Sequence, residues 1–427
     1  MLRAVNETAV VTARGAAAIR AGSPWIQRAD VTRGPDADAM DGGPYLVSVA
    51  DAHGRPLARA TWAATARIAL RIVDRAPVAP RGSPGARAGA VRVDGGLDAF
   101  LAMVDERLAA AAARRQMLLA ERTAFRIAHA EADGLPGLVV DRYGDAAVVQ
   151  TNSVAMNAAR TDIAGRVARL LEARIVIARD DGSARDFEGL PRFAGVVAGA
   201  GETRVVYRLG PNQLEADLLT DSKTGGFLDQ ADNHAYVAGL APAGARALDA
   251  FTYHGGFALA LARRGGAVLA TDESAAAVAR ATANARRNQL NNLEVRQANA
   301  FDLLRTLEAE GRQFEVVVLD PPALAKRGGT AGRDRARDAA ALGAADRAYK
   351  ELFLRGARLT AAGGLLVLCS CSGRVSRGHF DELVADALSD SGRGAQILAR
   401  LGAGRDHPEL VGVPETGHLK CWVLRVS

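Results

Sequence analysis

Cysteine is scarce: the chain has three in 427 residues, at positions 369, 371 and 421. So few thiols exclude a disulfide scaffold, and Cys369 and Cys371, with a single residue between them, sit too close for an ordinary disulfide or a zinc-binding pair. A catalytic or a packing role is left for them. Aromatic residues make up only 5%. No apolar run reaches the ~20 residues that a membrane helix needs, because Arg, Asp or Gly interrupts every Ala-rich stretch, so no membrane partner is expected. The N-terminal residues lack an unbroken apolar core followed by a small-residue cleavage site, and the chain reads as cytoplasmic. There is no internal repeat, which argues against a solenoid.

What is present fits a soluble, folded chain of more than one domain. Hydrophobic residues reach 49% and charged residues 24%, enough apolar surface for real cores. At this length a single core is not expected, and two or three domains are. The net charge of +6 and a pI near 9.5 make a polyanion such as nucleic acid a reasonable partner, since basic surface gains affinity from released phosphate counterions. An Arg-rich enzyme with no such partner would look the same.

Residues 10–73 read as short strands broken by turns, at 45–49, 58–62 and 68–73, hence a small β-rich module within 1–80. Residues 77–96 carry Pro, Gly and Arg without apolar periodicity and read as a linker. A long amphipathic helix is predicted over 97–121, followed by strands at 125–127, 137–140, 146–151 and 175–178 and helical periodicity at 156–171; together they form a middle α/β domain over 97–207. In the third segment, 208–427, buried runs alternate with helices from Gln230 onward: 246–250, 267–271, 293–297, 314–319 and 364–368. That alternation predicts an α/β, Rossmann-like parallel sheet wound with helices.

The first loop of this segment is the most informative. The strand ending at Asp249 runs through Ala250-Phe-Thr-Tyr-His-Gly-Gly256 into a helix, and glycines there let backbone approach a ligand. About twenty residues on, Asp272 closes the next strand, where such folds bind ribose hydroxyls. The three-glycine dinucleotide fingerprint is missing and Asp249 stands in the loop, which argues against NAD and for an amino-acid nucleoside such as S-adenosylmethionine (SAM). Asp249 could instead simply cap the turn. Asp320-Pro-Pro322 ends the apolar run 316–319, so another carboxylate emerges at the carboxyl edge of the sheet. Cys371 follows the buried strand 365–369 and would reach that same edge. A thiolate there suits C5 methylation of a pyrimidine, because addition to C6 turns C5 into a nucleophile, while an acid beside N3 stabilises the charged ring. The plainer reading is that Cys369 and Cys371 are small buried hydrophobes.

Taken together, Ser23-Pro-Trp25, residues 131–144, Lys223-Thr-Gly-Gly-Phe-Leu-Asp-Gln230, 249–257, Asp320-Pro-Pro322, Ser370-Cys-Ser-Gly373, Asp406-His-Pro408 and Leu419-Lys420 resemble the bacterial 23S rRNA (cytosine-5) methyltransferase I family over nearly the whole chain. The resemblance implies a PUA-like RNA-binding module, a middle α/β domain and a class I SAM domain. It also implies cofactor contacts at Gln230, Asp249, Phe251, Gly255 and Asp272, catalysis by Cys371 and Asp320, and 23S ribosomal RNA as partner, without a metal. Asn299 stands where many relatives carry Asp to hold the adenine amino group; its side-chain carbonyl could still accept that bond. The basic segment 326–337 could gate RNA or be a solvated loop, and the resemblance leaves homodimerisation open. Two other functions fit the same residues: an rRNA guanine N-methyltransferase, which needs no thiol, and a non-catalytic RNA-binding or assembly factor. The base that removes the C5 proton is not identifiable, and Cys369 is expected too deep on its strand to serve.

Overall fold

The computed structural model describes residues 8–35, 46–76, 96–324 and 335–427. The expected linker, apart from Gly96, and residues 326–334 of the basic segment lie outside them. The chain divides into two units: 1–205 with 217–225 and 410–413, and 206–216 with 226–409 and 414–427.

The first unit opens with a six-stranded sheet built from β1 (Thr8–Val11), β2 (Trp25–Gln27), β3 (Val31–Arg33), β4 (Leu46–Ala50), β5 (Pro56–Trp62) and β6 (Ile68–Arg75), in the order β2-β6-β5-β4-β1-β3. Alternation along the strands buries Ala9, Val11, Val47, Val49, Ala58, Ala60, Leu70 and Ile72 in one cluster, as a half-buried sheet requires. The reading of 10–73 as strands missed helix α1 (Ala13–Arg20). Only Ile19 marks its apolar face among alanines, too little periodicity to register. Thr12 starts it by accepting a bond from the Gly15 N–H at 3.1 Å, a common N-cap.

Helix α2 (Leu97–Arg115) leads into a five-stranded sheet, β11-β10-β9-β8-β7, formed by β7 (Ala124–His129), β8 (Leu138–Tyr143), β9 (Ala146–Thr151), β10 (Ile175–Asp180) and β11 (Phe193–Gly199). The helical stretch 156–171 is divided into α3 (Val154–Ala158) and α4 (Arg160–Leu171). The long motifs of this unit turn out to be structural staples. Trp25 Nε1 donates to Glu131 at 2.8 Å, and Arg71 bridges Glu131 at 2.6 Å and Glu188 at 2.8 Å. Asp141 accepts both Arg126, at 2.7 Å and 2.9 Å, and the Thr224 hydroxyl at 2.7 Å. Buried charges persist only with such partners.

A hairpin of β12 (Arg204–Leu209) and β13 (Asn212–Asp217) precedes the second unit's sheet. That sheet is made of β14 (Ala247–Asp249), β15 (Val268–Asp272), β16 (Leu293–Gln297), β17 (Phe314–Leu319), β18 (Thr360–Ser370), β19 (Ala395–Leu401) and β20 (Lys420–Val426), in the order β16-β15-β14-β17-β18-β20-β19. The helices are α5 (Ala231–Leu240), α6 (Gly256–Ala262), α7 (Ala275–Arg287), α8 (Ala300–Ala309), α9 (Arg335–Leu359) and α10 (Arg377–Ser391). Strands β14 to β18 are mutually parallel, whereas β20 runs antiparallel to both β18 and β19. The sequence reading had not resolved these last two strands. The chain turns back from β14 toward β15 on one side and β17 on the other, which creates a switch point at the carboxyl ends of β14 and β17, where open α/β sheets bind ligands.

Among the described residues no helix is long and apolar enough to cross a membrane, and no group of three or more His, Cys, Asp or Glu is placed to hold a metal ion.

Candidate active site

Four adjacent strands deliver the four chemistry-bearing residues to one edge. Asp249 is the last residue of β14 and Asp272 the last of β15; Asp320 directly follows β17 and Cys371 directly follows β18. An apolar strand can carry a polar group only where its buried run stops, which is why each lies at a terminus.

Asp249 is 1% exposed. Its Oδ2 accepts from the Thr252 hydroxyl at 2.7 Å and the Ala258 N–H at 3.1 Å, while Oδ1 is buried with no partner. Burial, with added repulsion from Asp320 and Asp272, pushes this carboxyl up to about 7. A buried orphan oxygen is costly unless something fills it. Asp272 spans the same loop, accepting from Tyr253 N–H at 3.0 Å and Ser274 N–H at 2.9 Å. Gly255 has φ +93, a conformation that favours glycine. At Gly256 an added Cβ would lie 2.3 Å from the His234 ring. Buried His254 is held neutral, its pKa driven down to about 3 by burial and by Arg280. Three carboxylates, one of them with a buried oxygen that has no hydrogen-bond partner, suit a cationic, hydroxyl-bearing ligand, so the residues present fit SAM, whose sulfonium and ammonium are positive and whose ribose offers donors.

Two of the expected cofactor contacts are also engaged in hydrogen bonds within the protein. Asn299 caps α8: its Oδ1 accepts from the N–H groups of Phe301 at 3.0 Å and Asp302 at 3.4 Å. The acceptor expected for an adenine amino group is thus already engaged, and the amide N–H groups are what remain for a ligand. Gln230, 2% exposed, donates from Nε2 to Asp320 Oδ2 at 2.9 Å and accepts from Asn233 at 2.6 Å, so it orients the carboxylate of the Asp-Pro-Pro loop. Phe251 is half-buried and packs on the core of the sheet.

At the thiol end, Cys371 is half-buried, whereas Cys369 is sealed within the sheet. Burial and the neighbouring Cys421 push the Cys369 thiol well above the ordinary range. Sequence reasoning missed Tyr349, on α9, whose buried hydroxyl lies 2.9 Å from Ser370 Oγ. Burial raises its phenol to about 12, and the charges of Cys371 and Asp320 both act on it in the same direction. Asp320 and Cys371 follow paired parallel strands, β17 and β18, and so reach the same edge.

A seven-stranded sheet with one reversed strand, carboxylates at successive strand ends and a glycine loop over the switch point define a SAM-dependent class I methyltransferase. Residues 242–399 match the family described as a methyltransferase domain, and residues 9–75 the PUA-like domain. The chain is 34% identical over 411 residues to the ribosomal RNA large subunit methyltransferase I of Aeromonas salmonicida, covering 94% of this chain and 95% of that one. It is 35% identical over 326 residues to the protein of that name from Shewanella amazonensis, covering 75% and 79%. The chain belongs to the ribosomal RNA large subunit methyltransferase I family. A structure assigned as a SAM-dependent methyltransferase from Streptococcus mutans shares the fold with a TM-score of 0.74 at 14% identity, over 98% of this chain and 99% of that one.

Proposed function

We propose that this protein methylates C5 of a cytosine in 23S ribosomal RNA through a covalent adduct to Cys371, with residues 1–80 as the RNA-binding module, 97–207 as the middle domain and 208–427 as the transferase. The observation that carries the reading is the delivery of a half-buried thiol and an oriented carboxylate to one sheet edge, beside the carboxylate-lined loop. The names of the curated relatives support ribosomal RNA as the substrate class.

Gln230, Asp249, Phe251, Gly255, Asp272, Asn299 and Asp320 would hold the cofactor, Asn299 through its amide N–H groups. When bound, SAM supplies the electrophilic methyl that the activated C5 takes. The target base must leave its stack to reach such an edge. Cys371 sulfur bonds to C6, and the C5–C6 π electrons move onto C5 with the ring charge spread toward N3, where Asp320 in its acid form stabilises it by donating a hydrogen bond. A base then takes the C5 proton, the C–H electrons re-form the double bond, the C6–S bond breaks, and the thiolate departs with that electron pair. The test is methyl transfer to rRNA from a strain lacking the gene, followed by nucleoside analysis. 5-Methylcytosine is expected; a methylguanine product would replace the thiol mechanism with direct transfer.

Cofactor binding should depend on pH through Asp249. Because its carboxyl is raised in the folded state, the fold favours the protonated form, so the unliganded protein loses stability as pH rises from the ordinary carboxylate range to about 7. A cationic ligand favours the ionised form. SAM affinity should therefore rise as pH increases through about 7, with proton release on binding below it. Calorimetry in two buffers of different ionisation enthalpy measures both; flat affinity with no proton release would remove Asp249 from the site.

A further inference from the structure

The reversed strand has a consequence at the thiol. Because β20 runs against its neighbours, its first residue, Lys420, arrives at the edge where β14 to β18 end, paired with Ser370, the residue before Cys371. Lys420 is 1% exposed. Its Nζ donates to the carbonyl oxygens of Ser372 at 2.6 Å and His418 at 2.8 Å, so the ammonium grips the turn on the far side of Cys371. Both acceptors are neutral, and among the described residues no carboxylate bonds to Nζ. A buried ammonium is costly without a counter-charge.

The groups around it narrow the choice. Asp320 is oriented by Gln230 and is not among the charges that act on the ammonium. Arg377, on α10, repels the ammonium and is itself engaged with Glu409. The Tyr349 hydroxyl lies on Ser370, and the His418 ring lies 3.1 Å from Asp229. Cys369 and Cys421 are both fully buried, and the Cys369 thiol is raised. Cys371 lies between the two residues that Lys420 engages, Ser370 by strand pairing and Ser372 through its carbonyl, and when ionised it stabilises the ammonium.

We propose that Lys420 is a positioning residue that holds Cys371 as a thiolate, aimed at the cleft, before the pyrimidine arrives; this rests on the reading of Cys371 as the nucleophile. The thiol proton goes to solvent. When sulfur bonds to C6 the negative charge passes to the ring, and when the C6–S bond breaks the thiolate re-forms against the same ammonium, which keeps its protons throughout. Burial, with repulsion from Arg377, lowers the Lys420 ammonium to about 8 against the raising effect of Cys371, so it is still charged at neutral pH.

The experiment is site-resolved alkylation of the full-length protein by iodoacetamide across a pH series, read by peptide mass spectrometry. The expected midpoint for Cys371 in the wild type lies at least about one unit below the ~8.5 of a free cysteine. Lys420→Met should raise that midpoint by about a unit or more, which slows alkylation at neutral pH about ten-fold, and Lys420→Arg should recover part of it. A wild-type midpoint at or above ~8.5 overturns the proposal whether or not the variants fold, as does an unmoved midpoint in a Lys420→Met protein that melts like the wild type. Alkylation needs no turnover. An active Cys371→Ala enzyme would instead overturn the nucleophile assignment, and with it the catalytic meaning of the pair, a result distinct from an unshifted midpoint.

Discussion

Cys371→Ala will bind SAM like the wild type and transfer methyl groups at least roughly a thousand-fold more slowly, the scale on which removing a covalent nucleophile acts. The separation of binding from turnover follows from position. Cys371 follows β18, two strands away from β14 and its loop, so the carboxylates that would hold the cofactor keep all their bonds when the sulfur is removed. Little packing is lost, since the residue is half-buried and lies outside the strand; the cost to stability is that of leaving the buried Lys420 ammonium without its counter-charge. Single-turnover transfer to rRNA and calorimetric SAM binding, measured side by side, check both halves. Substantial residual activity would leave the methyltransferase intact and eliminate the adduct.

Asp320→Asn should cost roughly a hundred- to ten-thousand-fold in turnover, the range for a positioned acid or charge-stabilising group, while the protein melts at the same temperature or higher. The charge it removes is one of two that repel Asp249, so the Asp249 carboxyl should ionise more easily and the pH at which SAM affinity rises should move down. The Gln230 amide keeps an acceptor at the same site. If turnover fell by less than ten-fold, Asp320 would be a loop anchor held by Gln230 rather than a participant in the chemistry.

The strand-end residues were legible because the physics that marks them is local. A run such as Val316-Val-Val-Leu319 must be buried, and the ionisable residue that ends it falls at the edge of the sheet; β17 accordingly begins and ends where the apolar pattern does. The motif Lys223-Thr224 and the stretch 131–144 were equally visible, but their purpose was not. Thr224 meets Asp141 across 83 residues, and Glu131 meets Trp25 across 106, separations that no window along the chain spans. Asn299 shows the converse: the departure from the family pattern was visible, whereas the use of its carbonyl to cap α8 required the backbone.

By itself, the sequence determined the fold class, the carboxyl edge as the candidate site, and Asp249, Asp272, Asp320 and Cys371 as the residues that reach it, since each lies at or just beyond the end of an apolar run. Tertiary structure alone decided the neighbours of those groups. Tyr349 comes from a helix, Gln230 from before the first strand, and Lys420 from a strand inserted in reverse, 49 residues beyond Cys371. Charge acts through space while patterns act along the chain, so the partners that tune a thiol or a carboxylate become apparent only once the sheet has brought them together.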